Sequence, residues 1–125
     1  MTNPTNESDA RQDGQTFNAA ILMEQVMDDV DLFHEILAVF LQELPNHLSQ
    51  IRQGLSTEET ELAYRGAHSL KGAAMNVGAL EVAGLASELE RVLKDQTVPP
   101  ETETLVTRTQ QAVDRLCLHL ESLKS

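Results

Sequence analysis

Apolar residues recur every three or four positions along most of the chain, which is the period of an amphipathic helix. The longest run predicts a helix from Asp29 to about Gln53, with Gly54 placed to end it. Pro45 lies inside this run, so we expect the helix to continue but to kink or break between Leu41 and Pro45. One stripe should face a core, and its members are Val30, Phe33, Leu37, Phe40, Leu44, Leu48 and Ile51.

Another helical pattern follows after a short polar connection. Thr57 can act as its N-cap, and the acidic residues within 57–60 suit the positive end of a helix dipole. The pattern predicts a helix that reaches about Asn76 and is stopped by Gly78.

Three further patterns complete the set of helices. Asn18 can cap a short first helix over roughly residues 18–27, and a fourth helix covers about residues 79–94. Pro99 and Pro100 break the chain and can begin the last helix. Because short connections force neighbouring helices to run antiparallel, we expect an all-α fold, an up-and-down antiparallel four-helix bundle with a short extra N-terminal helix.

The composition limits the domain organisation and the compartment. A chain of 125 residues, 41% of them apolar, fits one domain with one core. Residues 1–15 are polar and are expected to form a disordered tail, while residues 16–125 form the domain. Cys117 is the only cysteine, which excludes an internal disulfide and a cysteine-based zinc cluster and fits a cytoplasmic protein.

The charge balance excludes two classes of partner. Twenty acidic and nine basic side chains give a formal net charge of −11 at pH 7, which repels nucleic acids and anionic membrane surfaces. No apolar run is long enough to span a bilayer. We therefore expect neither nucleic acid nor membrane as a partner. A monomer is expected, because four helices can bury their apolar stripes within one chain.

The third helix carries the candidate chemistry. At about 100° per residue, residues 61–77 separate into two faces. One face is small and apolar and suits close packing in a core, with Leu62, Ala63, Gly66, Leu70, Ala73, Ala74 and Val77. The opposite face should meet water or a partner, and it comprises Glu61, Tyr64, Arg65, His68, Lys71, Gly72 and Met75.

Gly72 distinguishes this face from an ordinary solvated helix surface, which is the commoner interpretation of a polar stripe. A glycine at an exposed position within a helix costs about 1 kcal/mol relative to alanine, and the pattern offers no packing reason for it. The close approach of a partner would supply that reason. Lys71 shares the face of His68, and its ammonium can neutralise a phosphate group.

His68 has the chemistry of a phosphoryl acceptor. An imidazole is substantially neutral near pH 7, can attack phosphorus without a separate base, and forms a phosphoramidate that can transfer the group onward. Phosphoryl transfer needs in-line positioning and neutralised oxygens more than covalent help. The other histidines, His34, His47 and His119, have no lysine and glycine arranged around them and are expected on or beside solvated faces.

The run AHSLKGAAMNVGA, Ala67 to Ala79, resembles the signature of histidine-containing phosphotransfer (HPt) domains of two-component phosphorelays. Its elements are a histidine, a lysine three residues on, a glycine four residues on, small residues and a Gly-Ala step. The segment LAVFLQELPNHLSQIRQGL resembles the family's second helix, and LASELERVL resembles the end of its fourth helix. The similarity covers residues from about 17 to 124.

The resemblance implies that His68 accepts a phosphoryl group from a receiver-domain aspartyl phosphate, at its outward ring nitrogen, and passes it to another receiver. Lys71 would steady the phosphoryl oxygens, and Gly72 would admit the partner's backbone. The implied partners are receiver domains of response regulators or hybrid sensor histidine kinases, which bring their own aspartate and magnesium. This chain would need no metal and no cofactor, and it would be a phosphocarrier without autokinase activity rather than an enzyme.

Three more residues complete the candidate phosphate-binding or partner-binding set. They are Tyr64, Arg65 and Met75, and Met75 fits either a soft partner contact or plain exposure. A second interpretation of the whole chain also stays open, a helical docking module that binds receivers or other signalling proteins without carrying phosphate. Under that interpretation His68→Gln would leave binding and signalling intact, whereas it would abolish transfer by a phosphocarrier.

Overall fold

The computed structural model describes residues 16–124, with the backbone alone for the last two. The helices bounded within this range are α1 (Ala19–Gln25), α2 (Val30–Ser56), α3 (Thr60–Val77), α4 (Leu80–Leu93) and α5 (Glu101–Lys124). Helices α2 to α5 form the predicted up-and-down bundle, and α1 is the predicted extra helix, so the expected all-α fold is confirmed. The predicted disordered tail, residues 1–15, lies outside the described residues.

Helix α3 can pack closely against its neighbours because its buried face is built from small residues. Helices α2 and α4 pack on either side of it, and α1 contacts both α3 and α2. A Cβ added to Gly66 would lie 2.9 Å from Ile51 Cγ1, so α2 and α3 approach closely there. Leu62 and Ala73 are partly exposed at the edges of the predicted core face. The other members are buried as expected: Ala63, Gly66, Leu70, Ala74 and Val77.

Gly78 ends α3 as predicted, with a left-handed φ of 83°. Its N–H donates to the carbonyl of Met75, and the N–H of Ala79 donates to the carbonyl of Ala74 over 2.8 Å, which is the pairing of a Schellman motif. The backbone N–H of Asn18 donates to the Gly78 carbonyl over 2.8 Å. The Asn18 side chain also caps α1, as predicted. Gly78 therefore shapes the α3–α4 turn and also helps to position α1.

Helix α2 runs through Pro45 without interruption, so the expected continuation of the helix is confirmed, and the expected bend stays a prediction. Val30 was predicted in the core stripe but is exposed, because it begins the helix. The predicted end of α2 at Gly54 is wrong. The helix continues to Ser56, and a Cβ on the buried Gly54 would lie 2.5 Å from Ala63 N. This glycine allows α2 to touch the start of α3.

The predicted N-cap of α3 is also wrong. Glu58 has a positive φ of 60°, so the chain turns there and α3 begins after it, at Thr60, with Glu59 as the N-cap residue. Thr57 instead ends α2, where its Oγ1 lies 2.8 Å from the Gln53 carbonyl oxygen. A threonine followed by glutamates can stand at the end of one helix or at the start of the next. The left-handed conformation of Glu58 places Thr57 at the end of α2.

The core runs the length of the four-helix bundle. Among the described residues, the largest fully buried apolar side chains come from α1 to α5 and are Leu22, Leu44, Ile51, Leu70, Val82, Leu89, Leu93 and Leu116. Burial of such side chains is worth roughly 1.5–3 kcal/mol each, and Leu70 contributes this stabilisation from α3. No helix in the described range is long and apolar enough to cross a membrane.

Candidate functional site

His68 lies in the middle of α3 with 63% of its side chain exposed. The buried alanines Ala67 and Ala74 belong to the opposite, packed side of the same helix. The imidazole is therefore carried into solvent by a helix whose backbone is fixed on three sides by α1, α2 and α4.

Glu90, which lies on α4, completes a site whose other members, His68 and Lys71, lie on α3. His68 lies ten residues before Gly78 and Glu90 twelve after it, so an antiparallel pair of helices brings them to the same level. Glu90 Oε2 contacts His68 Nδ1, and Glu90 Oε1 lies 2.5 Å from Lys71 Nζ. One carboxylate thus bridges the imidazole and the ammonium.

The charge on Glu90 determines which nitrogen of the His68 imidazole carries the proton. The hydrogen bond from Lys71 is the main cause of a lowered pKa of Glu90; burial acts in the opposite direction, and the hydrogen bond from His68 lowers the pKa further. Glu90 is thus ionised at neutral pH and can only accept hydrogen bonds. His68 Nδ1 must then carry the proton, and in the neutral ring Nε2 holds the lone pair. Nε2 makes no hydrogen bond to the part of the chain that the structure describes.

Gly72 lies one turn beyond His68 on the same exposed face. A Cβ added there would meet no atom within 4 Å, so the fold itself gives no reason for glycine at this position. The contrast with Gly54 and Gly66 is direct, because both of those pack against α2 or α3. Lys71 keeps 28% of its side chain exposed while it pairs with Glu90. The surface beside His68 therefore offers open backbone on one flank and a cation on the other.

The remaining predicted residues are placed differently. The half-buried Tyr64 ring lies nearly parallel to the imidazole of His68, at an interplanar angle of 14° with the ring centroids 6.3 Å apart. Arg65 is exposed and pairs with Glu61 over 3.2 Å, and Met75 is exposed. The structure brings Tyr64 and Lys71 to His68, directs Arg65 to Glu61 and leaves Met75 to solvent.

Glu90 was missed because the pattern of α3 alone does not reveal it. A signal does exist in the row Val82, Ala86 and Glu90, spaced four residues apart on one ridge of α4. The first two are fully buried, whereas the Glu90 side chain keeps 14% exposure. A carboxylate that continues a buried row needs a partner.

The other histidines lie apart from this cluster. His34 is exposed, and His47 and His119 are half-buried, as expected for positions on or beside solvated faces. Burial lowers the pKa of His47. Among the described side chains, no group of three or more His, Cys, Asp or Glu residues could hold a metal ion. The expectation that this chain needs no metal stays a prediction.

Comparison with known proteins bears on the family and the fold of the chain. The family model for the Hpt domain matches residues 35–124. The crystal structure of histidine-containing phosphotransfer protein B (HptB) from Pseudomonas aeruginosa PAO1 is similar, with a TM-score of 0.78 and 19% identity over 86% of this chain and 92% of that one. The HPT domain of the Hpt sensor hybrid histidine kinase from Shewanella has a TM-score of 0.67 and 24% identity over 89% and 98%, respectively. A search of curated proteins finds no match.

Proposed function

The chain belongs to the Hpt domain family, the histidine-containing phosphotransfer domains of phosphorelays, and from this premise we propose that His68 carries the phosphoryl group. The contact of His68 Nδ1 with Glu90 is the observation that carries the proposal. This contact fixes the orientation of the imidazole through Nδ1 and leaves the other nitrogen, Nε2, as the nucleophile.

The exchange at His68 needs no proton transfer. The Nε2 lone pair attacks the phosphorus of an aspartyl phosphate on a receiver domain, and the N–P bond forms as the P–O bond breaks. The electron pair of the broken bond leaves with the aspartate carboxylate. Nδ1 keeps its proton throughout, so the phosphorylated ring is cationic, and the Glu90 carboxylate offsets that charge. The reverse exchange with a second receiver passes the group on.

Lys71 and Gly72 serve the incoming phosphoryl group and its carrier. The Lys71 ammonium has three donors, so it can hold Glu90 and also meet a phosphoryl oxygen. Gly72 offers bare backbone where the partner comes closest to α3. Tyr64, Arg65 and Met75 border the same face and are proposed as partner contacts.

The proposed carrier acts with receiver domains of response regulators or hybrid sensor histidine kinases. Those domains supply the aspartate and the magnesium, so this chain uses no metal or cofactor of its own and does not phosphorylate itself from ATP. We place it in the cytoplasm as a monomer. Cys117 is the only cysteine and is a free thiol, and a chain without an internal disulfide fits a reducing compartment.

Transfer from a phosphorylated receiver tests the proposal. Receiver domains from the same genome are charged with radiolabelled phosphate on their aspartates and mixed with wild-type chain, His68→Gln or His34→Gln. The wild type and His34→Gln should acquire acid-labile label, and His68→Gln should acquire none while keeping its helical circular dichroism. His34 is a matched control because it is also an exposed helical histidine.

Two results would overturn the proposal. Label that persists in His68→Gln would place the phosphoryl group elsewhere. Receivers that bind the chain equally well with and without His68, but never label it, would favour the docking module instead.

A further inference from the structure

Tyr64 is the only tyrosine of the chain, and it precedes His68 by four residues on α3. Residues four apart share one face of a helix, and a helical side chain leans back towards the residue four positions earlier. The Tyr64 and His68 rings are nearly parallel, with an interplanar angle of 14° and centroids 6.3 Å apart. Offset-stacked aromatic pairs have centroids about 4.5–7 Å apart. Tyr64 therefore stacks on one face of the imidazole.

The Tyr64 ring is held in place by the core. Its side chain is half-buried and packs against the cluster of buried apolar residues. The hydroxyl makes no hydrogen bond to the part of the chain that the structure describes. The group that Tyr64 presents to His68 is thus the face of its ring. Because Glu90 holds Nδ1 from α4, the imidazole is contacted at its edge by one helix and on its face by another.

Phosphorylation changes the charge of the ring on which Tyr64 stacks. In the proposed exchange Nδ1 keeps its proton while Nε2 binds phosphorus, so the imidazole becomes a cation. The face of an aromatic ring carries the negative part of its quadrupole and attracts a cation more strongly than a neutral ring. Glu90 does not serve the imidazole alone, because its other oxygen lies 2.5 Å from Lys71 Nζ. The Tyr64 face therefore favours phosphorylated His68 over the free histidine.

We propose that Tyr64 is a positioning residue that stabilises phosphorylated His68 by stacking on its cationic imidazole. This inference rests on the proposed function and adds a residue that sets how the phosphoryl group is shared between His68 and a receiver. Stacking forms and breaks no bond, so Tyr64 acts through His68 alone. A cation–π contact at an exposed site changes an equilibrium constant by about two- to fivefold. Removal of the aromatic ring should shift the phosphoryl group towards the receiver by about that factor.

The equilibrium constant of phosphoryl exchange distinguishes this role from a partner contact. For two proteins mixed below their dissociation constant, that constant depends only on the free energies of the separate phosphorylated and unphosphorylated proteins. A side chain that merely touches the receiver changes the forward and reverse rates by the same factor and leaves their ratio unchanged. A side chain that stabilises the phosphorylated imidazole changes the ratio.

The ratio is measured by mixing a receiver carrying radiolabelled phosphate with the chain until the label on each protein is constant. Tyr64→Leu keeps an apolar side chain against the core without an aromatic face, and it should move the ratio about two- to fivefold towards the receiver. Tyr64→Phe keeps the face and should behave as wild type. Met75→Ala is the matched control, because Met75 is exposed on the same side of α3 but makes no ring contact with His68. It should keep the wild-type ratio even where it slows exchange.

Proton NMR checks the geometry in the unphosphorylated chain. The ring protons of His68 should show a ring-current shift in wild type and Tyr64→Phe that is absent from Tyr64→Leu. Tyr64→Met is a second variant without an aromatic face and should match Tyr64→Leu, so a folding defect in one variant does not decide the result.

The outcomes separate this inference from the proposed function. A wild-type ratio in Tyr64→Leu and Tyr64→Met overturns the inference and leaves His68 as the acceptor. A shift in Tyr64→Phe as large as in Tyr64→Leu overturns it too, because the hydroxyl rather than the ring face would then matter. Absence of label on His68 from every receiver and from the small donor phosphoramidate, which needs no docking, overturns the proposed function and the inference with it.

Discussion

Replacement of Gly72 by alanine should stabilise the protein and impair its transfer reaction at the same time. The added methyl group meets no atom of the described chain within 4 Å, so it creates no clash in the isolated protein. Alanine is the better helix former, because glycine loses more backbone freedom when it is ordered. A stable variant that works worse would show that the glycine serves a partner rather than the fold.

The size of the stability gain follows from helix propensity. Glycine to alanine at an exposed helix interior is worth about 1 kcal/mol. Unfolding entropy of about 2.1 cal/mol/K per residue, over the roughly 109 residues from 16 to 124, gives a rise in Tm of about 4 °C. A receiver backbone that contacts Gly72 must retreat by about the width of a methyl group. A misplacement of about 1 Å of the reacting atoms slows transfer by up to roughly 100-fold.

Gly84 provides the matched control. It also lies inside a helix, is exposed, and has no atom within 4 Å of an added Cβ. It lies six residues before Glu90 and so points about 120° away from it around α4. Gly84→Ala should therefore raise Tm by a similar amount without slowing transfer.

Thermal unfolding and single-turnover transfer from a phosphorylated receiver measure the two effects, and phosphoramidate labelling of His68 checks the acceptor. Gly72→Ala should be labelled by phosphoramidate at the wild-type rate but by the receiver far more slowly. Equal receiver rates for Gly72→Ala and Gly84→Ala would refute the reasoning, because no close approach to α3 would then be required. A fall in Tm would refute the packing argument.

Three further predictions concern Glu90 and the helix contacts. Glu90→Gln should slow transfer to His68 by about 10- to 100-fold in the same single-turnover assay, because a charged hydrogen bond worth about 1.5–3 kcal/mol is lost, whereas the exposed neighbour Glu88→Gln should behave as wild type. Because the hydrogen bond from Lys71 lowers the pKa of Glu90 below its usual 4.5, the carboxylate stabilises the fold fully above pH 4.5 and loses that contribution as the pH falls through the lower folded value. The Tm difference between wild type and Glu90→Gln should shrink accordingly on acidification, and a constant difference would contradict the pKa direction. Gly54→Ala should destabilise the fold by about 1–3 kcal/mol in urea unfolding, because its Cβ would meet the backbone of α3; an unchanged midpoint would contradict the close packing.

The helices could be predicted from the sequence because each carries its own apolar stripe and the connections are short. The role of Gly78 could be predicted in the same way, since a glycine after the last apolar position of a helix commonly ends that helix. Gly54 has the same local appearance but a different role. Whether a glycine ends a helix or lets a neighbour touch it depends on what packs there, and Ala63 is brought to Gly54 by the fold rather than by the local pattern. The prediction of Thr57 as the N-cap of α3 was wrong for a related reason, because the left-handed conformation of Glu58 cannot be recognised from residue types.

Part of the site could likewise be predicted from the local sequence, whereas the rest depends on how the helices pack. His68, Lys71 and Gly72 lie within five residues of one helix, so the helical period alone places them on one face. Glu90 belongs to another helix and enters only through the register of α3 against α4. That register is nevertheless encoded, because Gly78 sets the turn and the buried row Val82 and Ala86 sets the facing side of α4. A carboxylate on that row, at the height of a histidine across the turn, is therefore recognisable from residue spacing alone. The proton on Nδ1 can be assigned only when the contact between Glu90 and His68 is known, and that proton decides which nitrogen attacks.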